Sequence, residues 1–354
     1  MPNQTTSESL KTTVFVDPKL LIRNGKIEKI EKDGHLLTPC VWKWADNFHE
    51  GLARVEAEDG FGGYIDTMGN VVIPCKWKIV ENFSEGLALV QNKNNAFFFI
   101  DKSGNIVIAC ESNINPYLQC GGFHEGLAVV RDTQSDRYGF IDKSGHIVIS
   151  CQWEDASYFS EGLATVWQNE MCGCIDKTGR LVIPCKFNEE IDFHEGLAFV
   201  FSDDEDEEYV IDMTGNKVFD MLYQHYDSCF QEGLASSDDN GFVDQNGELV
   251  IENKWSPCGM GFSEGVAPTE EGYIDHSGRV VIPNRWEECF EFHEGLAMVV
   301  NSGKHGYIDH GGRETVPCIW DEAYSFSNGL AKVKLDGKCY FIDKQGKLLC
   351  KVVK

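Results

Sequence analysis

The chain reads as an all-β tandem array of about ten units of about 35 residues each, and three phrases recurring together carry that reading. The first is Phe-x-Glu-Gly-Leu-Ala, beginning at Phe48, Phe83, Phe123, Phe159, Phe193, Phe230, Phe262, Phe292 and Phe326, with Val266 for Leu and Asn328 for Glu as departures. The second is an aromatic residue followed by Ile-Asp-x-x-Gly and an apolar triplet. It is clear at Tyr64, Phe99, Phe140, Tyr273, Tyr307 and Phe341, and altered at Cys174, Val210 and Phe242. The third is a Trp about six residues before the next Phe: Trp42, Trp77, Trp153, Trp286 and Trp320, with Trp255 seven before and Phe187 once in its place.

Each phrase implies an element. In Asp66-Thr67-Met68-Gly69 the Asp and Gly occupy the first and fourth positions of a type I turn, where the carboxylate caps a backbone amide and the Gly accepts positive φ. The β-branched and aromatic flanks, Gly63-Tyr64-Ile65 and Val71-Val72-Ile73, make this a β-hairpin. Leu52-Ala53-Arg54-Val55 and its counterparts read as a further short strand. One unit is therefore a three-stranded meander: strand, variable loop, strand, tight turn, strand, and a Trp-bearing connection into the next Phe-x-Glu-Gly turn. With roughly ten apolar positions a unit closes no core by itself, so stacked neighbours supply the rest, the Trp and Phe rings packing between them.

The ends place the array. Residues 30–40 resemble residues 141–151, so a degenerate tenth unit precedes the nine clear ones; residues 1–14 are expected to be a loose tail and residues 15–354 the array. Each end carries its own hairpin, and about ten units are many for one ring. An open superhelix or solenoid is therefore expected in preference to a closed β-propeller, and a monomer.

Composition narrows the partners. A formal charge of −26 disfavours binding to nucleic acid phosphate and to an anionic membrane face, and favours a basic or neutral protein or peptide. No apolar run approaches the roughly 18 to 20 residues that span a bilayer. Met1-Pro2-Asn3-Gln4-Thr5-Thr6 has neither a basic nor an apolar signal region, so a cytoplasmic protein is expected, with signal-less export left open. Of the 14 cysteines, Cys40, Cys75, Cys110, Cys151, Cys185 and Cys318 share one repeat position that is Asn253 and Asn284 elsewhere. A slot that takes Cys or Asn is a small, partly buried position, and free thiols in a reducing compartment are expected.

Phe-x-Glu-Gly-Leu-Ala-x-Val, Gly-Tyr-Ile-Asp-x-x-Gly-x-Val-Val-Ile-Pro and the recurrent Trp, with Lys76-Trp77 and Lys254-Trp255, together resemble the WG-repeat (KWG-repeat) family of bacterial proteins over about residues 20 to 350. The resemblance implies a β-rich repeat scaffold generally without an assigned activity, and it supplies no catalytic residues.

The candidate chemistry is sparse. The Asp that recurs at 66, 101, 142, 176, 212, 244, 275, 309 and 343 offers one carboxylate per turn, which suits capping better than calcium, an ion that takes several oxygens from one loop. His49, His124, His194 and His293 alternate with Ser84, Ser160, Ser263 and Ser327 in the first phrase, a rhythm that suits a scaffold better than a metal or proton ladder. Cys172-Gly173-Cys174 lacks the second half of a zinc site, and no phosphate loop, nucleophile elbow or HExxH helix is present. No catalytic, cofactor or metal residue is assigned. The acidic run Asp203, Asp204, Glu205, Asp206, Glu207 and Glu208, in a loop between two strands, is the candidate docking patch for a basic partner. The function expected is a non-catalytic scaffold for protein–protein interaction, as in a bacterial adaptor or effector. The alternative is a glycan- or small-ligand-binding module using exposed aromatic residues.

Overall fold

The computed structural model describes residues 13–16, 22–23, 26–27, 30–32, 35–39, 42–116, 122–202, 207–220, 229–237, 241–252 and 261–353, and these form strands and turns with no helix. Nine antiparallel sheets follow one another as the blades of a closed ring. Blade 1 is the meander Trp44–His49, Leu52–Glu56, Gly62–Asp66 and Val71–Trp77. Blades 2 to 9 occupy residues 79–109, 114–153, 155–187, 197–220, 234–252, 266–283, 288–320 and 322–353.

The repeat is four-stranded where its whole length is described, which corrects the three-stranded unit expected from the phrases. The segment read as a connection pairs across the Glu-Gly turn, Phe48 opposite Ala53 and His49 opposite Leu52. Glu50 and Gly51 have φ of 53° and 86°, the pair of positive values that defines a type I′ turn, whose twist matches that of the flanking strands. The Asp turn behaves as its residues demand. Met68 and Asn70 N–H donate to Asp66 Oδ1 at 2.9 and 2.8 Å, and Gly69 N–H donates to Asp66 O at 2.8 Å.

Each core lies between blades. Leu52, Tyr64, Ile73 and Trp77 of blade 1 pack on Phe83, Ala88, Val90 and Ile100 of blade 2, and equivalent clusters occupy every junction around the ring. In the ninth cluster Ala45, Phe48, Val55 and Ile65 of blade 1 pack on Leu330, Phe341 and Leu349 of blade 9. That contact closes the ring and overturns the open solenoid.

The closure also shows why the end units misled. The fourth strand of a blade ends on an aromatic paired to the third strand, as in Gly62 with Trp77, Tyr138 with Trp153 and His305 with Trp320. In blade 9 the partner of Cys339 is Trp42, from the other end of the chain. Strand Leu348–Val353 is further joined by His35–Pro39 and by Thr13–Val16. The degenerate tenth unit is therefore no blade: its strands and its Trp complete blade 9. The rest of the tail expected at 1–14 lies outside the described residues.

The first two apolar residues of the fourth strand stay exposed in blades 1, 2, 3 and 6, Val71 at 46 % and Ile106 at 53 % among them, and mark the outer rim, whereas Leu348 and Leu349 of blade 9 are buried. The opposite edge, carrying the segment before the Phe-x-Glu-Gly turn, is where neighbouring blades come close, as Trp44–His49 of blade 1 does to Leu330–Leu335 of blade 9, and so faces the axis.

Candidate functional site

The recurrent polar residues are spent on holding blades together. Gly86 N–H donates to Glu50 Oε2 at 3.0 Å, and Lys102 Nζ, from the Asp turn of blade 2, sits 3.0 Å from the same oxygen. Glu85 repeats this with Gly126 (2.9 Å) and Lys143 (3.0 Å), Glu125 with Gly162 (3.0 Å) and Lys177 (2.9 Å), and Glu294 with Gly329 (2.9 Å) and Lys344 (3.2 Å). Glu195 uses Gln245, Glu232 uses His276 and Glu264 uses His310. Burial pushes the Glu50, Glu85 and Glu294 carboxyls up, but the lysine and the turn amides outweigh it and hold them below the usual range. At the junction of blades 9 and 1, Asn328 replaces the Glu, and its Nδ2 donates to Phe48 O at 3.2 Å beside Ser327 Oγ at 2.6 Å. The serines of the alternation share this role: Ser84 Oγ donates to Phe123 O at 2.5 Å and Ser263 Oγ to Phe292 O at 2.7 Å.

The histidines of the alternation do not gather. His124 stacks on Tyr158 with centroids 4.4 Å apart, and His194 Nε2 lies 3.0 Å from Asp192 Oδ2. Among the described residues no three His, Cys, Asp or Glu side chains are grouped to hold a metal ion. Of the acidic docking patch, Asp203, Asp204, Glu205 and Asp206 lie outside the described residues, while Glu207 and Glu208 open the strand Glu207–Asp212. Ser202 and Glu207 pair at the end of the second and third strands that lies away from the Glu-Gly turn.

On the axis side, Arg54 bridges two blades. It pairs with Asp46, reaches Glu81 Oε2 at 2.7 Å and donates to Val80 O at 3.0 Å. Burial opposes the Asp46 charge, but Arg54 outweighs it and lowers that pKa, whereas burial prevails at Glu81 and raises it. Lys332, at the matching position of blade 9, is buried with Nζ 3.7 Å from the centroid of the Tyr324 ring, and burial lowers its pKa.

Between blades 4 and 5 lies a cavity of about 260 Å³. Leu163, Thr165, Cys174, Ile191 and Phe193 form its buried floor, and Tyr158, Glu190 and Asp192 stand exposed at its rim. Thr165 Oγ1 donates to Ile191 O at 2.7 Å. Burial raises the Glu190 carboxyl against its Ser157 hydrogen bond, with Asp192 and Asp155 adding repulsion. The same burial pushes the Cys174 thiol up to about 12, so it is no ready nucleophile. Sequence reasoning weighed Cys174 as half of a zinc pair and missed the cavity. The available signal was Cys174 standing where the second phrase carries an aromatic ring.

A family model described as "WG containing repeat" matches residues 30–60, 63–95, 97–132, 138–172, 173–204, 272–304 and 306–339. No curated protein is similar to the chain in sequence. Among solved structures, the computationally designed Ika8 protein is similar at TM-score 0.44 and 11 % identity, covering 92 % of this chain and 98 % of that one. A eukaryotic initiation factor follows at 0.41 and 12 %, covering 98 % of each chain, and BamB from Moraxella catarrhalis at 0.33 and 12 %, covering 97 % of each.

Proposed function

The chain belongs to the family of proteins built from WG-containing repeats, and from that premise we propose that it is a propeller scaffold for protein–protein interaction whose acidic surface takes a basic or neutral protein or peptide. One observation carries this reading: the consensus glutamates, aspartates and serines are engaged in turns and blade junctions, so the consensus builds the ring and the departures from it are left for a partner. The charge of −26 selects the sign of that partner and steers its approach. The acidic run at 203–208 is its docking patch, and the role is binding rather than turnover. The setting is a reducing cytoplasm that keeps the thiols free, as in a bacterial adaptor or an effector exported without a signal.

The glycan alternative has less support. The large aromatic side chains exposed among the described residues are Trp44 at 39 % and Tyr158 at 42 %, on separate blades, and Arg54 already lies over Trp44 at 5.3 Å.

The test is capture of a partner by the purified chain and reconstitution of the complex from two purified proteins. A stoichiometric complex is expected, weakening at least tenfold between low and high salt and again when all six acidic residues at 203–208 become Asn and Gln. A reconstituted complex indifferent to both changes, or no complex at all, would overturn the reading.

A further inference from the structure

Seven junctions bury the same pair of rings. The aromatic of the second phrase meets the Phe of the next blade's first phrase: Tyr64 with Phe83 (4.8 Å between centroids), Phe99 with Phe123 (4.9 Å), Phe140 with Phe159 (4.9 Å), Phe242 with Phe262 (4.9 Å), Tyr273 with Phe292 (5.0 Å), Tyr307 with Phe326 (4.8 Å) and Phe341 with Phe48 (5.0 Å). At the junction of blades 5 and 6 the position is Val210, and its cross-strand partner Phe199 supplies the ring instead, stacked on Phe230 at 5.3 Å. The junction of blades 4 and 5 has neither ring. Cys174 takes the aromatic position, and its cross-strand partner is Thr165.

The carbonyl at this gap is already served. The tyrosine hydroxyls of blades 1, 7 and 8 each donate to a carbonyl of the following blade, Tyr64 to Glu81 O at 2.6 Å, Tyr273 to Phe290 O at 2.7 Å and Tyr307 to Tyr324 O at 2.6 Å. Ile191 stands two residues before its Phe, as Glu81, Phe290 and Tyr324 do, and its carbonyl is served by Thr165 Oγ1. What the pair Thr165 and Cys174 leaves out is the volume of a ring, with Phe193 still in place as its neighbour. At about 260 Å³ the space equals roughly nine waters at about 30 Å³ each, the size of a small planar ligand. The rim adds a sign. Glu190 has no ion pair among the described residues, and Asp192, 3.0 Å from His194 Nε2, lies beside it at the same rim.

We propose that the space between blades 4 and 5 is a binding site for a small aromatic cation, a ring bearing a protonated amine or amidine, with the ring seated between Cys174 and Phe193 and the cation at the Glu190 and Asp192 carboxylates. This site stands apart from the scaffold reading and survives its failure.

Phenethylamine and benzamidine are the probes, titrated into the full chain by calorimetry or ligand-observed NMR. Both are expected to bind saturably, with phenylacetate (ring, wrong charge) and butylamine (charge, no ring) at least tenfold weaker. Cys174→Tyr restores the ring found at the other junctions and is expected to abolish binding while raising Tm. Thr165→Phe copies the Phe199 arrangement and carries the same test if the first variant does not fold. Glu190→Gln is expected to weaken both probes about tenfold without lowering Tm. An acetylated Arg-Phe amide identifies the source: binding of the free amines alone assigns a free small molecule, and binding of the peptide as well assigns a partner's side chains. Absence of saturable probe binding, or equal binding to the ring-filled variant, overturns the proposal.

Discussion

At the scale of single residues the chain depends on its carboxylates. Hydrogen bonds from Thr178 and Ser277, joined by turn amides and arginines, hold Asp176 and Asp275 down at about 2, and the equivalent Asp101, Asp142, Asp212 and Asp309 are lowered in the same way. The unfolded reference lies at about 3.9. A folded pKa below the unfolded one means stability that is complete above about pH 4 and is lost as pH falls toward the folded value of about 2. The lowered Glu50, Glu85 and Glu294 add to it with the same sign. Glu81 and Glu190, raised by burial, act in the opposite sense, and so does relief of the −26 charge. The lowered groups outnumber them, so Tm measured by calorimetry should hold from neutral pH to about 4.5 and then fall steeply toward pH 2.5. A Tm unchanged across that lower window would show that the turns and the Glu links contribute nothing.

At the scale of the element, the position opposite the shared Cys explains itself. Gly139 in the third strand of blade 3 faces a bulge, where an added Cβ would sit 2.5 Å from Ile149 O and 2.7 Å from Cys151 N. The same close approach recurs at Gly63 with Cys75, Gly173 with Cys185 and Gly306 with Cys318. The neighbour is backbone and has nowhere to retreat, so Gly139→Ala should cost about 2–3 kcal/mol in urea unfolding. Gly126, in the Glu-Gly turn, has φ +91° and nothing within 4 Å of its would-be Cβ, so Gly126→Ala should cost only the left-handed penalty of about 1 kcal/mol. Equal losses in the two variants would mean that the bulge gives way and the steric account is wrong. The strands, the Asp turn and the partly buried Cys slot were all legible beforehand, because each depends on residues close in sequence. The axis-side strand was not: apart from the Phe and the residue after it, its positions carry no recurring residue, and only pairing across the type I′ turn makes a strand of them.

At the scale of the whole molecule, stability is shared among nine similar junctions, and the one that closes the ring is built differently. It has Asn328 on Phe48 O in place of the Glu link, and takes Trp42 from the opposite end of the chain. Deleting residues 1–42 should therefore leave the blade-to-blade cores elsewhere intact while opening this seam. The expected result is a lower Tm and a larger radius of gyration by small-angle scattering. An unchanged radius and Tm would place closure in the cluster of Phe48 and Phe341 alone.

The sequence by itself determined the repeat, its turns, its all-β character and its family, since those rest on local residue chemistry read at short range. It also marked the positions of greatest interest, Cys174 and Asn328, as departures from phrase. Only the tertiary structure decided that nine blades close, that the supposed tenth unit completes the last blade, and that Cys174 leaves room for a ring. Closure depends on angles accumulated over nine sheets and on pairing residues such as Trp42 and Cys339 that lie at opposite ends of the chain. The space beside Cys174 depends on its cross-strand partner being Thr165 rather than a second ring. Neither relation is written in any stretch as short as one repeat.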